Sequence, residues 1–182
     1  MCEFGCAGQR PVVPRRPRPA GRDMSGLMRS ASPGGRVPRT ATGVASPTIV
    51  VSSLKSDAHT WNLVFLQLLI EEAGFEVVNL GPCVPTDLLV SASLELLPRA
   101  IVLSSVNGHG YHDALPAIAA LRARPALAGT PVIIGGKLGV GAEDRSALAE
   151  HLLASGFDAV YDDTQETGGF RELLAAMTAP PS

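Results

Sequence analysis

The order of apolar and polar positions from Pro47 onward alternates between two patterns. Short runs rich in β-branched residues alternate with longer runs whose apolar residues recur every three or four positions. The first pattern predicts buried strands and the second predicts amphipathic helices. The predicted strands are Thr48–Ser53, Glu76–Leu80, Ala100–Ser104, Pro131–Ile134 and Asp158–Tyr161. The predicted helices are Leu63–Ala73, a helix capped by Thr86 that runs through Leu96, Asp113–Arg122, Asp144–Ala154 and Phe170–Met177.

Five strands that alternate with five helices predict right-handed crossovers and a parallel sheet covered on both faces. The strands are nearly continuous apolar runs, as a sheet buried on both sides requires. We therefore predict a doubly wound, five-stranded α/β fold of the flavodoxin-like type, with strand order 2-1-3-4-5. In this order the direction in which strands are added to the sheet reverses between the first and third strands, so the loops that follow these strands flank one crevice.

The loop after the first strand, Ser56 to Asn62, carries Asp57 and His59 two residues apart. A neutral imidazole is a good ligand for a transition metal, and a carboxylate on its other nitrogen fixes the tautomer. One His and one Asp are too few for a zinc site. They suffice if a macrocycle already holds the metal, so that only one axial ligand is needed. A hydrogen-bonded pair without any ligand is the alternative.

A cluster of glycines follows the third and fourth strands. Glycine lets the backbone approach a ligand closely and adopt positive φ, so this cluster favours a ligand groove over ordinary turns. Its members are Gly108, Gly110, Gly135, Gly136, Gly139 and Gly141.

The charge distribution separates residues 1–46 from the rest of the chain. The first segment is rich in Pro and Gly and carries eight Arg against Glu3 and Asp23, which predicts a disordered basic tail. The remaining sequence, with a predicted domain at 47–178, has a net charge of −8, from seven basic and fifteen acidic residues, and predicts no nucleic-acid surface. No apolar run approaches the roughly 20 residues of a membrane span. Three cysteines form no disulfide framework, so we expect a cytoplasmic protein.

The order of these motifs resembles the cobalamin-binding domain of adenosylcobalamin-dependent mutases and corrinoid methyltransferases. That family carries D-x-H-x-x-G, S-x-L and G-G at the ends of its first, third and fourth strands. The matching residues here are Asp57-Ala58-His59-Thr60-Trp61-Asn62, Ser104-Ser105-Val106 and Gly135-Gly136. The chain departs from the motif twice, since Asn62 replaces Gly and Val106 replaces Leu. Asn tolerates left-handed backbone better than other side chains, so we expect the turn at Asn62 to survive.

Within that family, the chain most resembles the small subunits of glutamate mutase (methylaspartate mutase). The shared stretches are Asn79-Leu80-Gly81, 104–110, 135–141 and 156–161. The resemblance implies that His59 is the lower axial ligand of cobalt, with Asp57 hydrogen-bonded to it. The cofactor-binding residues that it implies are Ser56, Asp57, Ala58, His59, Asn62, Ser104, Ser105, Val106, Gly108, Gly135 and Gly136.

The resemblance also implies a function. The chain would bind adenosylcobalamin for a radical carbon-skeleton rearrangement of an amino-acid substrate held by a separate barrel subunit, and it would be inactive alone. A corrinoid carrier protein for a methyltransferase is the alternative. A receiver-like signalling domain shares the fold but needs an Asp at the end of the third strand, where this chain has Ser104 and Ser105.

Overall fold

The computed structural model describes residues 46–139, 145–162 and 168–178. Within these ranges the strands are β1 (Thr48–Ser53), β2 (Glu76–Asn79), β3 (Ala100–Ser105), β4 (Val132–Gly136) and β5 (Ala159–Asp162). The helices are α1 (Thr60–Glu72), α2 (Thr86–Leu96), α3 (Gly110–Arg122), α4 (Arg145–Ala154) and α5 (Gly168–Thr178), with a short 3-10 helix at Pro125–Leu127. The predicted tail lies outside the described residues apart from Ser46, and Gly141 and Asp144 also lie outside them.

The five strands form one sheet in the order β2-β1-β3-β4-β5, and every neighbouring pair is parallel. The predicted flavodoxin-like fold and strand order are confirmed. The register aligns the carboxyl ends of the central strands, with Ser104 opposite both Ser53 and Gly135. The loops after β1 and β3 therefore begin side by side at the same edge of the sheet.

Side chains of the buried strands alternate between two apolar layers, as the two-residue period of a strand requires. On one face, Val50 and Ile101 pack in a cluster with residues of α2, α3 and α4. On the other face, Val51 and Val102 pack with residues of α1 and α5. Helices thus cover both faces of the sheet. No helix in the described ranges is long and apolar enough to cross a membrane.

The helix starts differ from the sequence-based expectation, and α1 begins at Thr60, three residues before the predicted Leu63. Thr86 is the first residue of α2 and not its cap: the cap is Pro85, whose carbonyl oxygen accepts a hydrogen bond from the Leu89 N–H at 3.0 Å and closes the first turn. Helix α3 begins at Gly110, three residues earlier than predicted. A Cβ at Gly110 would lie 2.8 Å from the Cβ of Ser105, so glycine lets this helix start against the end of β3.

Candidate functional site

Asp57 lies in the loop between β1 and α1, and its side chain is the buried centre of the site. The residue is only 1% exposed. One carboxylate oxygen, Oδ1, accepts the backbone N–H of His59 at 3.0 Å and lies 2.7 Å from Nδ1 of the same residue. The other oxygen, Oδ2, accepts the backbone N–H of Val106 at 2.5 Å. The carboxylate therefore fixes the imidazole and also joins the loop after β1 to the end of β3.

The environment of Asp57 favours its ionised form. Burial raises the pKa of this carboxyl, because it removes the charge from water. The hydrogen bonds from the backbone N–H groups of His59 and Val106, together with the imidazole, outweigh burial, and the pKa lies below its ordinary value. Asp57 is consequently a carboxylate at neutral pH.

The second ring nitrogen of His59, Nε2, makes no hydrogen bond to another residue in the described ranges. A carboxylate can only accept hydrogen bonds, so Nδ1 carries the hydrogen and the neutral ring keeps its lone pair on Nε2. The side chain is 49% exposed, whereas its Asp57 partner is buried. His59 is the N-cap of α1, with φ −79° and ψ 106°. The arrangement is a half-exposed imidazole whose tautomer and orientation are set by a buried carboxylate, as in many metal-binding histidines.

Asn107 makes the second connection between the two loops. Its Nδ2 donates to the carbonyl oxygen of Ser56 at 2.8 Å and lies 3.0 Å from the Ser56 hydroxyl. Its Oδ1 accepts hydrogen bonds from the hydroxyl of Ser105 and from the backbone N–H of His109. Asn107 was not among the predicted site residues. The one local signal was an Asn two residues before a helix cap, where its side chain can accept a backbone N–H.

Asp113, on the first turn of α3, makes a third connection that the sequence analysis missed. Its Oδ2 accepts the backbone N–H of Ser56 at 3.2 Å, and its Oδ1 lies 3.5 Å from Nζ of Lys55. The side chain of Asp113 is mostly buried, while that of Lys55 is exposed. An acidic residue in the first turn of a helix ordinarily indicates only an interaction with the helix dipole. Here it also holds the residue that precedes Asp57.

The hydroxyl of Ser53 connects the loop after β1 to the loop after β2. The Ser53 hydroxyl donates to the carbonyl oxygen of Asp57 at 2.7 Å and accepts the backbone N–H of Cys83 at 2.9 Å. The same N–H lies 2.9 Å from the Asp57 carbonyl oxygen. Neither Ser53 nor Cys83 was among the predicted site residues. Backbone atoms carry most of these bonds, so no side-chain motif could indicate them.

Asn62 lies inside helix α1, and the expectation that it occupies a left-handed turn is wrong. Among the described residues, only Cys83 and Leu97 combine a side chain with positive φ. Helix α1 begins at Thr60, so position 62 has helical geometry in the first turn. The Nδ2 of Asn62 donates to Oγ of the buried Ser104 at 2.5 Å. Asn62 thus links α1 to the end of β3.

The glycines of the site have identifiable packing roles. Gly136 has φ +108°, and a Cβ there would overlap with the carbonyl group of Ser105. A Cβ at Gly135 would lie 3.2 Å from the carbonyl oxygen of Tyr161. Gly108 is buried and has φ +83°. Contacts within the chain account for glycine at 135 and 136, and positive φ favours it at 136 and 108. The predicted contact of these glycines with a ligand stays a prediction.

The structure places all eleven predicted cofactor-binding residues at the carboxyl ends of β1, β3 and β4, in the loops that follow, or in the first turn of α1. Hydrogen bonds connect most of these residues to one another or to their neighbours, whereas Ala58 is exposed and contributes no side-chain hydrogen bond. No three or more His, Cys, Asp or Glu side chains come together as a metal site anywhere in the described ranges. What the arrangement provides is one imidazole nitrogen beside a set of backbone and hydroxyl groups.

An imidazole and carboxylate at the switch point of a flavodoxin-like sheet are the features of a cobalamin-binding domain, and the sequence comparison agrees. The chain belongs to the B12 binding domain family, whose profile matches residues 47–167. It is 34% identical to glutamate mutase sigma subunit 1 of Haloarcula marismortui over 130 residues, covering 66% of this chain and 80% of that protein. The sigma subunit from Treponema denticola is 33% identical over 116 residues, covering 62% of this chain and 81% of that protein.

Solved structures with the same fold include corrinoid proteins and signalling domains. A cobalamin-binding protein from Desulfitobacterium hafniense superposes with a TM-score of 0.60 at 21% identity, over 74% of this chain and 60% of that one. The methanol:cobalamin methyltransferase complex of Methanosarcina barkeri gives 0.55 at 20% identity, over 78% and 51%. A response regulator from Burkholderia multivorans gives 0.52 at 18% identity, over 75% and 98%. At these identities the likenesses establish the fold alone.

Proposed function

We propose that this chain is the cytoplasmic, cobalamin-binding subunit of an adenosylcobalamin-dependent carbon-skeleton mutase similar to glutamate mutase. The observation that carries the proposal is the Asp57–His59 pair, which leaves Nε2 free on a loop at the switch point of the sheet. Membership of the B12 binding domain family supports cobalamin as the ligand. Similarity to glutamate mutase sigma subunits supports the mutase class.

The donor set fits a cobalt ion that arrives inside a corrin ring. A neutral imidazole suits a transition metal, and a single protein ligand is enough where a macrocycle supplies the others. Asp57 keeps the hydrogen on Nδ1 and raises the basicity of Nε2. In this proposal His59 would hold the cobalt of the cofactor through Nε2. The residues proposed to hold the rest of the cofactor are Ser56, Asp57, Ala58, Asn62, Ser104, Ser105, Val106, Gly108, Gly135 and Gly136.

Adenosylcobalamin, when bound, supplies a cobalt–carbon bond whose homolysis starts radical chemistry. The contribution of this chain is to hold and orient the cofactor through His59 and to keep that ring in one tautomer. Asp57 faces inward and is committed to three hydrogen bonds, so it does not act on a substrate. We propose that a separate barrel-type subunit binds an amino-acid substrate and that this chain alone has no activity.

The test is magnetic resonance of the protein loaded with the cobalt(II) form of the cofactor. If His59 binds cobalt, electron paramagnetic resonance will show hyperfine coupling to one protein nitrogen, and ¹⁵N-labelled histidine will change that splitting. The His59→Ala variant will lack this response. His112→Ala, which removes an exposed imidazole elsewhere, is the matched control and will retain it. A spectrum of the wild-type protein that is insensitive to histidine labelling would refute the axial-ligand assignment.

The second candidate is a corrinoid carrier that delivers methyl groups to a methyltransferase. It is favoured by the fold shared with the methanol:cobalamin methyltransferase complex, and Pro82 and Pro85 after β2 fit it as well. An axial histidine would serve either function, so a second assay is needed to decide between them. The adenosylcobalamin-loaded chain, combined with a barrel subunit, is expected to interconvert glutamate and methylaspartate. Methyl transfer from the methylcobalamin-loaded chain, with no rearrangement, would favour the carrier.

A further inference from the structure

The loop that carries Asp57 and His59 is held in place by hydrogen bonds more than by packing. Every residue from 55 to 60 is exposed except Asp57. His59 is the N-cap of α1 but makes no side-chain capping bond, and the first turn of this helix has no acidic residue. Helix α1 therefore gains neither of the usual stabilising features at this end. Groups outside the loop must contribute to fixing the position of the imidazole.

The direction of the Asp57 side chain depends on the two peptide units that flank its Cα. The unit that follows is fixed through its carbonyl oxygen, which accepts the Ser53 hydroxyl at 2.7 Å. The unit that precedes, between Ser56 and Asp57, donates its N–H to the carbonyl oxygen of Leu54 at 3.0 Å. The carbonyl oxygen of this preceding unit, on Ser56, accepts Nδ2 of Asn107 at 2.8 Å. Asn107 thus links the peptide unit next to Asp57 to the loop after β3.

The hydrogen-bonding capacity of Asn107 is used within the chain. Its Nδ2 lies within hydrogen-bond distance of both the carbonyl oxygen and the hydroxyl of Ser56. Its Oδ1 accepts the hydroxyl of Ser105 at 3.1 Å and the backbone N–H of His109 at 2.8 Å. A primary amide has two hydrogens to donate and two lone pairs on its oxygen, and all four are used. The side chain of Asn107 is therefore committed to holding protein groups.

Asp113 also contacts Ser56, but at a different peptide unit. It accepts the backbone N–H of Ser56 at 3.2 Å, and its other oxygen lies 3.5 Å from Nζ of Lys55. This N–H belongs to the peptide unit between Lys55 and Ser56, which does not adjoin the Cα of Asp57. Asn107 makes the shorter bond and acts on the unit that does adjoin it.

We infer that Asn107 is a positioning residue for the imidazole of His59. Its amide holds the peptide unit that precedes Asp57, and this unit directs the carboxylate whose Oδ1 lies 2.7 Å from Nδ1 of His59. Asn107 acts through Asp57 and has no chemical role of its own. The consequence for cobalt binding rests on the proposed function, whereas the effect on the imidazole does not.

Two substitutions separate the two halves of the Asn107 amide. Asn107→Asp keeps the oxygen that accepts Ser105 and His109, but places a second oxygen where Nδ2 donated to the carbonyl oxygen of Ser56. Asn107→Ala removes all of these bonds. A positioning role through Ser56 predicts that both variants disturb His59. A role confined to the start of α3 predicts that only the alanine variant does.

The first measurement is the long-range ¹H–¹⁵N magnetic resonance spectrum of histidine in the full chain without corrinoid. At about pH 8.5, where an ordinary imidazole is neutral, the wild-type His59 ring will carry its hydrogen on Nδ1. Both Asn107 variants will populate the other tautomer as well, because the carboxylate of Asp57 is no longer held against Nδ1 in every molecule. The signals of His59 are identified by their loss in His59→Ala.

The second measurement is equilibrium titration with cobalamin. We expect both Asn107 variants to bind it about fivefold more weakly, which corresponds to the loss of one neutral hydrogen bond. Circular dichroism will establish that each variant is folded. If the new carboxylate of Asn107→Asp unfolds the chain, Asn107→Ala decides the question with the same two measurements.

Asn79→Asp is the matched control, because Asn79 makes an equivalent pair of bonds after β2. Its Oδ1 accepts the backbone N–H of Gly81, and its Nδ2 donates to Gln67. This variant is expected to keep one His59 tautomer and to bind cobalamin within about twofold of the wild type.

An unchanged tautomer and an unchanged cobalamin affinity in Asn107→Asp would overturn the inference. Equal losses in Asn79→Asp would also overturn it, because they would show a general effect on stability. A wild-type chain that binds no cobalamin would instead refute the proposed function, and the histidine spectrum would still decide whether Asn107 positions the imidazole.

Discussion

Replacing Asp57 with Asn tests whether the buried carboxylate holds the site together. The side chains have nearly the same shape, but Asn offers one acceptor oxygen and an amide group that is a donor only. Asp57 accepts backbone N–H groups on both of its oxygens, so the amide of Asn must face one donor with another. A hydrogen bond to a charged group contributes about 1.5 to 3 kcal/mol. We expect Asp57→Asn to lower the free energy of unfolding by about 3 kcal/mol at pH 7.

The pH dependence of this loss has a defined sign. The pKa of Asp57 lies below its ordinary value of 3.8 in the folded chain, because the two backbone N–H groups and the imidazole together outweigh the effect of burial. A lowered folded pKa gives stability that is fully present above the pKa of the unfolded chain and is lost as the pH falls through the folded pKa. The difference between wild type and Asp57→Asn should thus be constant from about pH 5 to pH 7 and should shrink below about pH 4.

Urea unfolding followed by circular dichroism, repeated across this pH range, measures both effects. Glu95→Gln is the matched control because Glu95 is an exposed acid on α2. It should change stability by less than about 0.5 kcal/mol. A loss below about 1 kcal/mol for Asp57→Asn, or a difference that stays constant down to pH 3, would contradict the role that we assign to the carboxylate.

Three further changes test other parts of the structure. Gly136→Ala should lower the free energy of unfolding, measured with urea, by at least about 3 kcal/mol, because of the positive φ of Gly136 and the overlap of a Cβ with Ser105. Gly129→Ala is the control: open space surrounds this position, so the free energy of unfolding should fall by less than about 1 kcal/mol. Asn62→Gly should lower the free energy of unfolding by about 1 kcal/mol through the lost bond to β3 and the helical glycine. Equilibrium titration should nevertheless show cobalamin binding a few-fold tighter, because the side chain of Asn62 would crowd the bound cofactor; weaker binding would mean that this side chain makes a net favourable contact with it. A chain shortened to begin at Ser46 should bind cobalamin as well as the full chain, and a tenfold loss would assign the tail a role in binding.

Hydrophobic patterning was sufficient to predict the fold and the strand order. The strands are runs such as Ile49 to Val51, too apolar and too β-branched for a surface helix. Their regular alternation with helical patterns leaves few possible topologies. The Asp57–His59 pair could be recognised as well, because both partners lie in one short loop and their contact depends on local geometry.

The contacts between loops could not be predicted in this way. The bonds of Asn107 and Asp113 to Ser56 join residues 51 and 57 positions apart, and no local pattern specifies such a pair. The conformation of Asn62 was missed for a related reason, since the motif suggested a turn where α1 had already begun. Sequence periodicity identifies helices and strands well but locates their ends poorly, and the residues of this site lie at the ends of helices and strands.

The hydrogen bonds around Asp57 have a consequence for protein engineering. A designer who wished to install this imidazole in another flavodoxin-like scaffold could not transplant residues 56–59 alone. The donor at Val106 and the side chains of Asn107 and Asp113 would have to be carried over with them, together with the Ser53 hydroxyl. The smallest transferable unit is therefore a set of three separate chain segments, and a shorter graft would deliver an Asp–His pair whose loop is not held against the end of β3.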